Sequence, residues 1–297
     1  MKEVDHRELF QRIAAELPAE LLDHVFVTGS LAAACHFGDQ LAGQGVRTKD
    51  ADLVVHPARD VKTAAEIART LLAHGWRPKD DCYPSATAEP ADHLRAIRLY
   101  PPEHSDYFVE LLNVPEPSAP VTKNWIAVEL DDGWYGLPSF EFLVLAAMDR
   151  EASEAGLEYA TPCMMALANL LSHLTLGDAR MTTLIGGREI LRSAKDLGRV
   201  LALAYLSGPA ETDAWGARWR FALDTCFPDR WRALALRAGD GLRELLADAS
   251  AFEEAWFTCS TGLLVRQGLT QDQLRATPDR RLGDCIEPLA DSAGDTA

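Results

Sequence analysis

Long apolar runs, clustered cysteines and lysines are all scarce in this chain, and each scarcity excludes something. No stretch approaches about 18 consecutive uncharged apolar residues, so no helical membrane span is expected. The opening "MKEVDHRELFQRIAAELP" alternates charged and apolar residues at helical spacing and lacks the uninterrupted apolar core of a secretory leader. The expected location is therefore cytoplasmic. Six cysteines, Cys35, Cys82, Cys163, Cys226, Cys259 and Cys285, are scattered without a CxxC pair or a histidine at ligand spacing. Neither a zinc site nor a disulfide framework is expected from them. Lysine supplies only six of the 29 basic residues. The positive charge is mostly arginine, whose planar fork matches carboxylate and phosphate. Internal repeats and low-complexity tracts are absent as well.

What is present is a chain of 297 residues, 47% of them hydrophobic, enough to bury a substantial core as one large or two ordinary domains. Acidic residues number 45 and the formal net charge is −16, which argues against a broad basic surface for a polyanion.

The pattern divides the chain. Residues 1–138 alternate helical and strand-like segments: a helix near 4–17, "HVFVTG" as a strand, "SLAAACHF" as a helix, "ADLVVH" as a strand, and "DVKTAAEIARTLLAHG" as a helix capped by Asp60 and ended by Gly75. Strand-like "LRAIRLY", "YFVELLNV", "WIAVEL" and "GWYGL" follow, the last two joined by the hairpin signal "DDG". Residues 139–285 read as helices separated by Gly and Pro. Residues 286–297, with little apolar content, read as a disordered tail.

Within the first part, "VRTKDADLVV" presents an oddity. Asp50 and Asp52 point to one face of an apolar strand, while Ala51 and Leu53 point to the other. Neighbouring carboxylates repel unless a positive group lies between them. Mg²⁺ or Mn²⁺ would resolve the conflict, because a hard cation takes one or two carboxylates together with phosphate and water oxygens. Upstream, "FVTGSLAA" places Gly29 and Ser30 between a strand and a helix start, where phosphate meets backbone N–H donors and the helix dipole. Downstream, Glu110 in "YFVELLNV" is another isolated acid among apolar neighbours. Three acids and a Gly-Ser turn are the parts of a metal-dependent phosphoryl or nucleotidyl transfer site.

The order strand–Gly-Ser, Asp-x-Asp on a strand, then one acid on a later strand resembles the nucleotidyltransferase superfamily that includes DNA polymerase β. "RTKDADLVV", through Arg47, Thr48, Asp50, Asp52 and Leu53, is similar to the R-x-T-x-D-x-D-L segment of the AbiEii family, the toxin side of type IV toxin–antitoxin pairs. "RSAKDLGRVLAL" resembles that family's late K-D-L helix through Lys195 and Asp196. The likeness implies an α+β fold, with a nucleotidyltransferase-like mixed sheet followed by a C-terminal helical domain. It further implies Asp50, Asp52 and Glu110 as catalytic and metal-binding acids, and Gly29, Ser30, Arg47, Thr48, Lys195 and Asp196 as nucleotide-binding residues. The activity implied is Mg²⁺-dependent transfer of NMP from a nucleoside triphosphate to an RNA, protein or small-molecule acceptor, with an antitoxin as partner.

Departures from the family pattern define the alternatives. Members usually carry a lysine on the helix after the sheet, whereas residues 124–194 contain none and Ala147 or Asn169 stands at that place. Arg199 stands where a second acid follows K-D-L, and the third acid is Glu rather than Asp. A chain that kept the acids and lost the lysine would bind nucleotide as a pseudoenzyme in a defence or regulatory complex. A small-molecule adenylyltransferase, such as one modifying an antibiotic, would share the same strand acids. Elsewhere, Trp215, Trp219 and Trp231 alternate with arginines in a stretch that reads first as helix packing and second as a base-stacking surface. His173 and His36 read as structural, and "IGGREI" as a break between helices rather than a phosphate loop.

Overall fold

The computed structural model describes residues 3–41, 46–48, 50–116, 123–176, 179–182 and 184–294. They fall in two compact units, residues 1–35 with 44–160 and residues 36–43 with 161–297.

In chain order the first unit contains β1 (Glu3–Val4), α1 (His6–Glu16), α2 (Ala19–Leu22), β2 (Val25–Thr28), α3 (Gly29–His36, whose last residue belongs to the second unit), β3 (Val46–Arg47) and β4 (Asp50–Val55). There follow α4 (Val61–Ala73), β5 (Arg77–Pro78), β6 (Arg98–Tyr100), β7 (Phe108–Asn113), β8 (Lys123–Leu130), β9 (Gly133–Phe140), α5 (Leu143–Ala146), β10 (Arg150–Ala152) and β11 (Glu158–Ala160). Seven strands form one sheet in the order β10-β11-β2-β4-β7-β6-β5, while β8 with β9 and β1 with β3 make two-stranded pairs. The large sheet is mixed, because β4 runs antiparallel to β2 and parallel to β7.

Local chemistry accounts for most of these elements. Asp5 caps α1 by accepting from the backbone N–H groups of Arg7 and Glu8, and Asp60 caps α4 through Thr63 N–H. Along α4 the buried residues Ala64, Ala65, Ile67, Ala68 and Leu71 recur at helical spacing and make one apolar stripe. That stripe lies against β8 of the hairpin. In β4 and β7 the pattern changes along the strand: residues alternate half-buried and buried at the start, then become buried on both faces at Leu53–Val55 and Leu111–Asn113. The acids occupy the alternating, more open end.

The stretch from 139 to 160 differs from the helical expectation. β9 continues to Phe140, α5 is one turn long, and β10 pairs with β11, which in turn runs parallel to β2. In "FLVLAAM" the residues Phe142 to Ala146 are all buried, so the apolar run carries no periodicity that separates a helix from a compact buried turn.

The second unit is helical: α6 (Pro162–Leu176), α7 (Arg192–Thr212), α8 (Trp215–Cys226), α9 (Trp231–Arg237), α10 (Asp240–Ala247), α11 (Ala249–Thr261), α12 (Gln271–Arg275) and α13 (Gly283–Gly294). Trp215 and Trp219 are fully buried, and the Trp219 indole N–H donates to the Cys163 carbonyl at 2.9 Å. Trp231 is also buried, with the Arg220 and Arg232 guanidinium groups over its ring at 3.6 and 4.8 Å. The three tryptophans therefore pack the unit and present no ring for a base to stack on. Residues 286–294, expected in a disordered tail, continue α13, where Cys285, Leu289 and Ala293 form a buried stripe at i, i+4 spacing. Residues 295–297 lie outside the described residues. "IGGREI" closes as a tight turn, with Ile185 and Arg188 exchanging backbone hydrogen bonds at 3.0 Å. Among the described residues no helix is long and apolar enough to cross a membrane.

Candidate functional site

Strand register assembles the site. On the half-open face of the large sheet, Thr28 of β2 lies opposite Asp52 of β4, Asp52 lies opposite Glu110 of β7, and Glu110 lies opposite Arg98 of β6. Four polar side chains from four adjacent strands thus form one row across the sheet. Asp50 begins the next row and lies opposite Phe108.

Gly29 follows Thr28 directly and turns the chain into α3 with a left-handed φ of +78°. A Cβ at that position would stand 2.9 Å from Asp52 Oδ2, so the Asp52 carboxylate rests against backbone that only glycine leaves open. Ser30, half-buried, comes next on the first turn of α3. The Gly-Ser turn and the aspartates, expected from separate segments, meet at one end of the sheet.

Asp50 is oriented by its own strand entry. The Thr48 hydroxyl lies 3.0 Å from Asp50 Oδ1 and 2.9 Å from the Asp50 carbonyl, and Thr48 is itself buried. Thr48, expected to touch nucleotide, holds an acid in place. The Arg47 guanidinium lies 3.8 Å from Glu3 across the β1–β3 pair. Lys195 and Asp196 belong to the second unit, half-buried on the first turns of α7.

Glu110 has a partner that the sequence reading missed. Arg98 forks onto it, with Nε to Oε2 at 2.9 Å and a second nitrogen to Oε1 at 3.5 Å. The Arg98 guanidinium also lies 3.8 Å from Asp81 and 5.6 Å from the centre of the Phe108 ring, over which the Lys79 ammonium sits at 5.4 Å. Lys79 in turn pairs with Asp81 at 2.6 Å. Burial works against the Arg98 charge, yet Glu110 and then Asp81 hold its pKa above the ordinary arginine value. The signal in the sequence was "LRAIRLY", where Arg98 is an isolated base among apolar strand residues, as Glu110 is an isolated acid.

A hard cation such as Mg²⁺ takes one or two carboxylates together with phosphate and water oxygens, and Asp50 and Asp52 are the strand carboxylates that would offer them. Glu110 does not complete a three-acid set while Arg98 holds it. Consistent with this, no group of three or more His, Cys, Asp or Glu side chains is placed to hold a metal ion among the described residues.

A second polar cluster lies at the opposite ends of β2 and β4. His24 Nδ1 is 3.0 Å from the His56 carbonyl, and the Arg150 guanidinium meets His56 Nε2 and pairs with Glu158 at 3.3 Å. Burial first, and the Arg150 charge next, push the His56 pKa down to about 4, so the ring is a neutral acceptor. The two remaining histidines of interest, His36 and His173, lie in the second unit beside Glu211 at 3.8 Å and Glu244 at 3.4 Å.

No family model matches the chain, and no curated protein matches it in sequence. Among solved structures it is similar to an antigenic nucleotidyltransferase-like protein from Paracoccidioides brasiliensis, at a TM-score of 0.34 and 14% identity over 77% of this chain and 92% of that one. It is also similar to the CD-NTase CdnG of Bradyrhizobium diazoefficiens in complex with GTP, at a TM-score of 0.24 and 13% identity over 97% of this chain and 84% of that one.

Proposed function

We propose that the chain binds a nucleoside triphosphate with Mg²⁺ at the strand end formed by Gly29, Asp50 and Asp52 and transfers its NMP to an acceptor hydroxyl. The observation that carries this reading is the Asp52 carboxylate set against the open backbone of Gly29, with Asp50 oriented beside it by Thr48. Asp50 and Asp52 would hold the Mg²⁺, which supplies charge neutralisation for the phosphate oxygens. The turn at Gly29 and the start of α3 would receive phosphate through backbone N–H groups. In the transfer step the acceptor oxygen bonds to the α-phosphorus, the bond from that phosphorus to the α,β-bridging oxygen breaks, and pyrophosphate leaves. The acceptor's proton passes to Glu110 once that carboxylate is released, or to water. Positioning and electrostatic stabilisation carry such a reaction, with no covalent enzyme intermediate.

The finer reading follows the resemblance to AbiEii toxins: the acceptor is RNA, protein or a small molecule, and a cognate antitoxin restrains the activity. One observation favours a second reading. The fork of Arg98 on Glu110, with no lysine in residues 124–194, suits a nucleotide-binding pseudoenzyme.

The test is transfer of α-³²P from each of the four NTPs, with Mg²⁺, to total RNA and to the protein, beside the Asp50→Ala/Asp52→Ala variant. Label that requires both aspartates is the expected result. NTP-dependent thermal stabilisation without label selects the pseudoenzyme, and the absence of both overturns the nucleotide reading.

A further inference from the structure

We infer that the outer face of α8 and α9 is an interaction surface, and that it receives an acidic amphipathic helix of a partner protein. The inference stands apart from the nucleotide reading, since it uses the second unit alone.

Apolar exposure is the first of two observations that meet there. Phe221 of α8 is 67% exposed and Leu236 of α9 51%, two of four large apolar side chains left open to solvent among the described residues. Both helices bury another side: Trp215, Trp219, Ala222, Leu223 and Cys226 in α8, and Trp231, Leu234 and Ala235 in α9. The helix α13 lies against both and meets α8 at Gly216. Phe221 and Leu236 add nothing to that packing, and open apolar side chains rimmed by charge mark contact surfaces.

Charge is the second observation. Residues 215–237 carry five arginines against Asp224 and Asp229, a net of +3. The 29 basic and 45 acidic residues of the whole chain leave 24 and 43 elsewhere, a net of −19. A cationic segment therefore stands out from an acidic chain. Geometry joins it across the two helices. Arg220 of α8 and Arg232 of α9 lie over the same Trp231 ring at 3.6 and 4.8 Å, so the helices share one cationic seam. Arg232 is exposed and lies four residues before Leu236, and Arg218 lies three residues before Phe221. These spacings put each arginine on the same helix face as the apolar residue that follows it.

The chemistry selects the occupant. A helix with apolar residues at i, i+3 and i+4 covers Phe221 and Leu236, while Glu and Asp on its flanks meet the arginine forks. Nucleic acid suits the face less, because Trp215, Trp219 and Trp231 are buried and the acidic chain repels a polyanion. A second copy docked about a two-fold axis would set the arginines of one seam against those of the other.

The test is fluorescence anisotropy of a labelled amphipathic peptide of about 18 residues, or about five helical turns, with Leu on one face and Glu on its flanks, titrated with the full chain. Comparison probes are the same residues in scrambled order, the peptide with Lys in place of Glu, and a single-stranded RNA of similar length. The chain is used as the parent, Phe221→Ser, Leu236→Ser and Arg232→Glu, each first shown folded by its thermal transition. The expected result is that the ordered Glu peptide binds at least about tenfold more tightly than either comparison peptide, that each variant weakens it by about three- to tenfold, and that added salt weakens it further. No binding of the Glu peptide, equal binding of the scrambled one, or affinity indifferent to Phe221 and Leu236 overturns the inference. So does RNA bound more tightly than the Glu peptide, or a dimer in light scattering that Phe221→Ser dissociates, since each assigns the face to another occupant. The ATP–Mg²⁺ response should be the same in the parent and all three variants, so loss of peptide binding leaves the nucleotide reading untouched.

Discussion

Gly29→Ala isolates the contact on which the site is built. Two effects follow from the structure. The left-handed φ of +78° costs a residue with a Cβ about 1–2 kcal/mol. The new Cβ would also stand 2.9 Å from Asp52 Oδ2, closer than side chains tolerate. The atom it meets is the end of a rotatable carboxylate, so the clash is relieved by moving Asp52 rather than by opening the sheet. Strain should therefore appear in stability, and the clash in binding. A loss of 1–2 kcal/mol lowers the transition temperature of a chain this size by roughly 2–8 °C. Displacing Asp52 should weaken ATP–Mg²⁺ binding by about tenfold or more, equal to about 1.4 kcal/mol or more. Gly156→Ala supplies the control, since its φ is +85° and a Cβ there meets nothing within 4 Å. Both variants should lose similar stability by differential scanning fluorimetry, and Gly29→Ala alone should lose the ATP-dependent shift. Equal ATP affinity in the two variants would refute the assignment of Gly29 and Asp52 to the binding site.

Thr48→Val keeps the shape of a buried side chain but removes the hydroxyl that orients Asp50, so ATP–Mg²⁺ affinity should fall by about three- to tenfold, the worth of one hydrogen bond, with little change in transition temperature. His56 makes stability depend on pH with a definite sign. The unfolded chain takes up a proton near pH 6.5 while the folded ring does not until about pH 4, so stability is lost as pH falls through that window. The full shift corresponds to about 3 kcal/mol and solvent screening reduces it, so urea midpoints at pH 7.5 and pH 5 should differ measurably, and less in His56→Gln than in the parent. His6, whose pKa burial also lowers, acts in the same direction. In the second unit, Trp219→Phe should cost about 2–3 kcal/mol, because it removes the buried indole hydrogen bond to the Cys163 carbonyl and opens space in a closed core. An unfolding midpoint equal to the parent's would show that the indole is not a packing anchor.

Local patterns made several of these elements legible and left their assembly hidden. The strands at residues 50–55 and 108–113 announce themselves by an acid alternating with apolar neighbours, and the turn at Gly29 by a glycine between strand and helix. α4 was readable from Asp60 and its apolar stripe. Register was not, because pairing Asp52 with Glu110 depends on which strands become neighbours, and a parallel pair is joined by a long crossover whose length says nothing of alignment. The hairpin β10–β11 escaped notice because its strands are three residues each, too short for a period-two pattern to emerge beside the buried run before them. α13 escaped because its stripe is only three side chains wide.

The acids and their counterions differ in how openly they are written. An isolated Asp or Glu in an apolar strand is conspicuous, since burying a charge demands a reason. The reason can be a metal, and it can equally be an arginine on the next strand. Glu110 meets the second condition in this structure, through Arg98. Reading acids alone therefore overcounts metal ligands wherever a facing strand carries an isolated base, and "LRAIRLY" beside "YFVELLNV" is such a pair of strands. For this chain the consequence is concrete: Glu110 already has its counterion in Arg98, which faces it on the next strand.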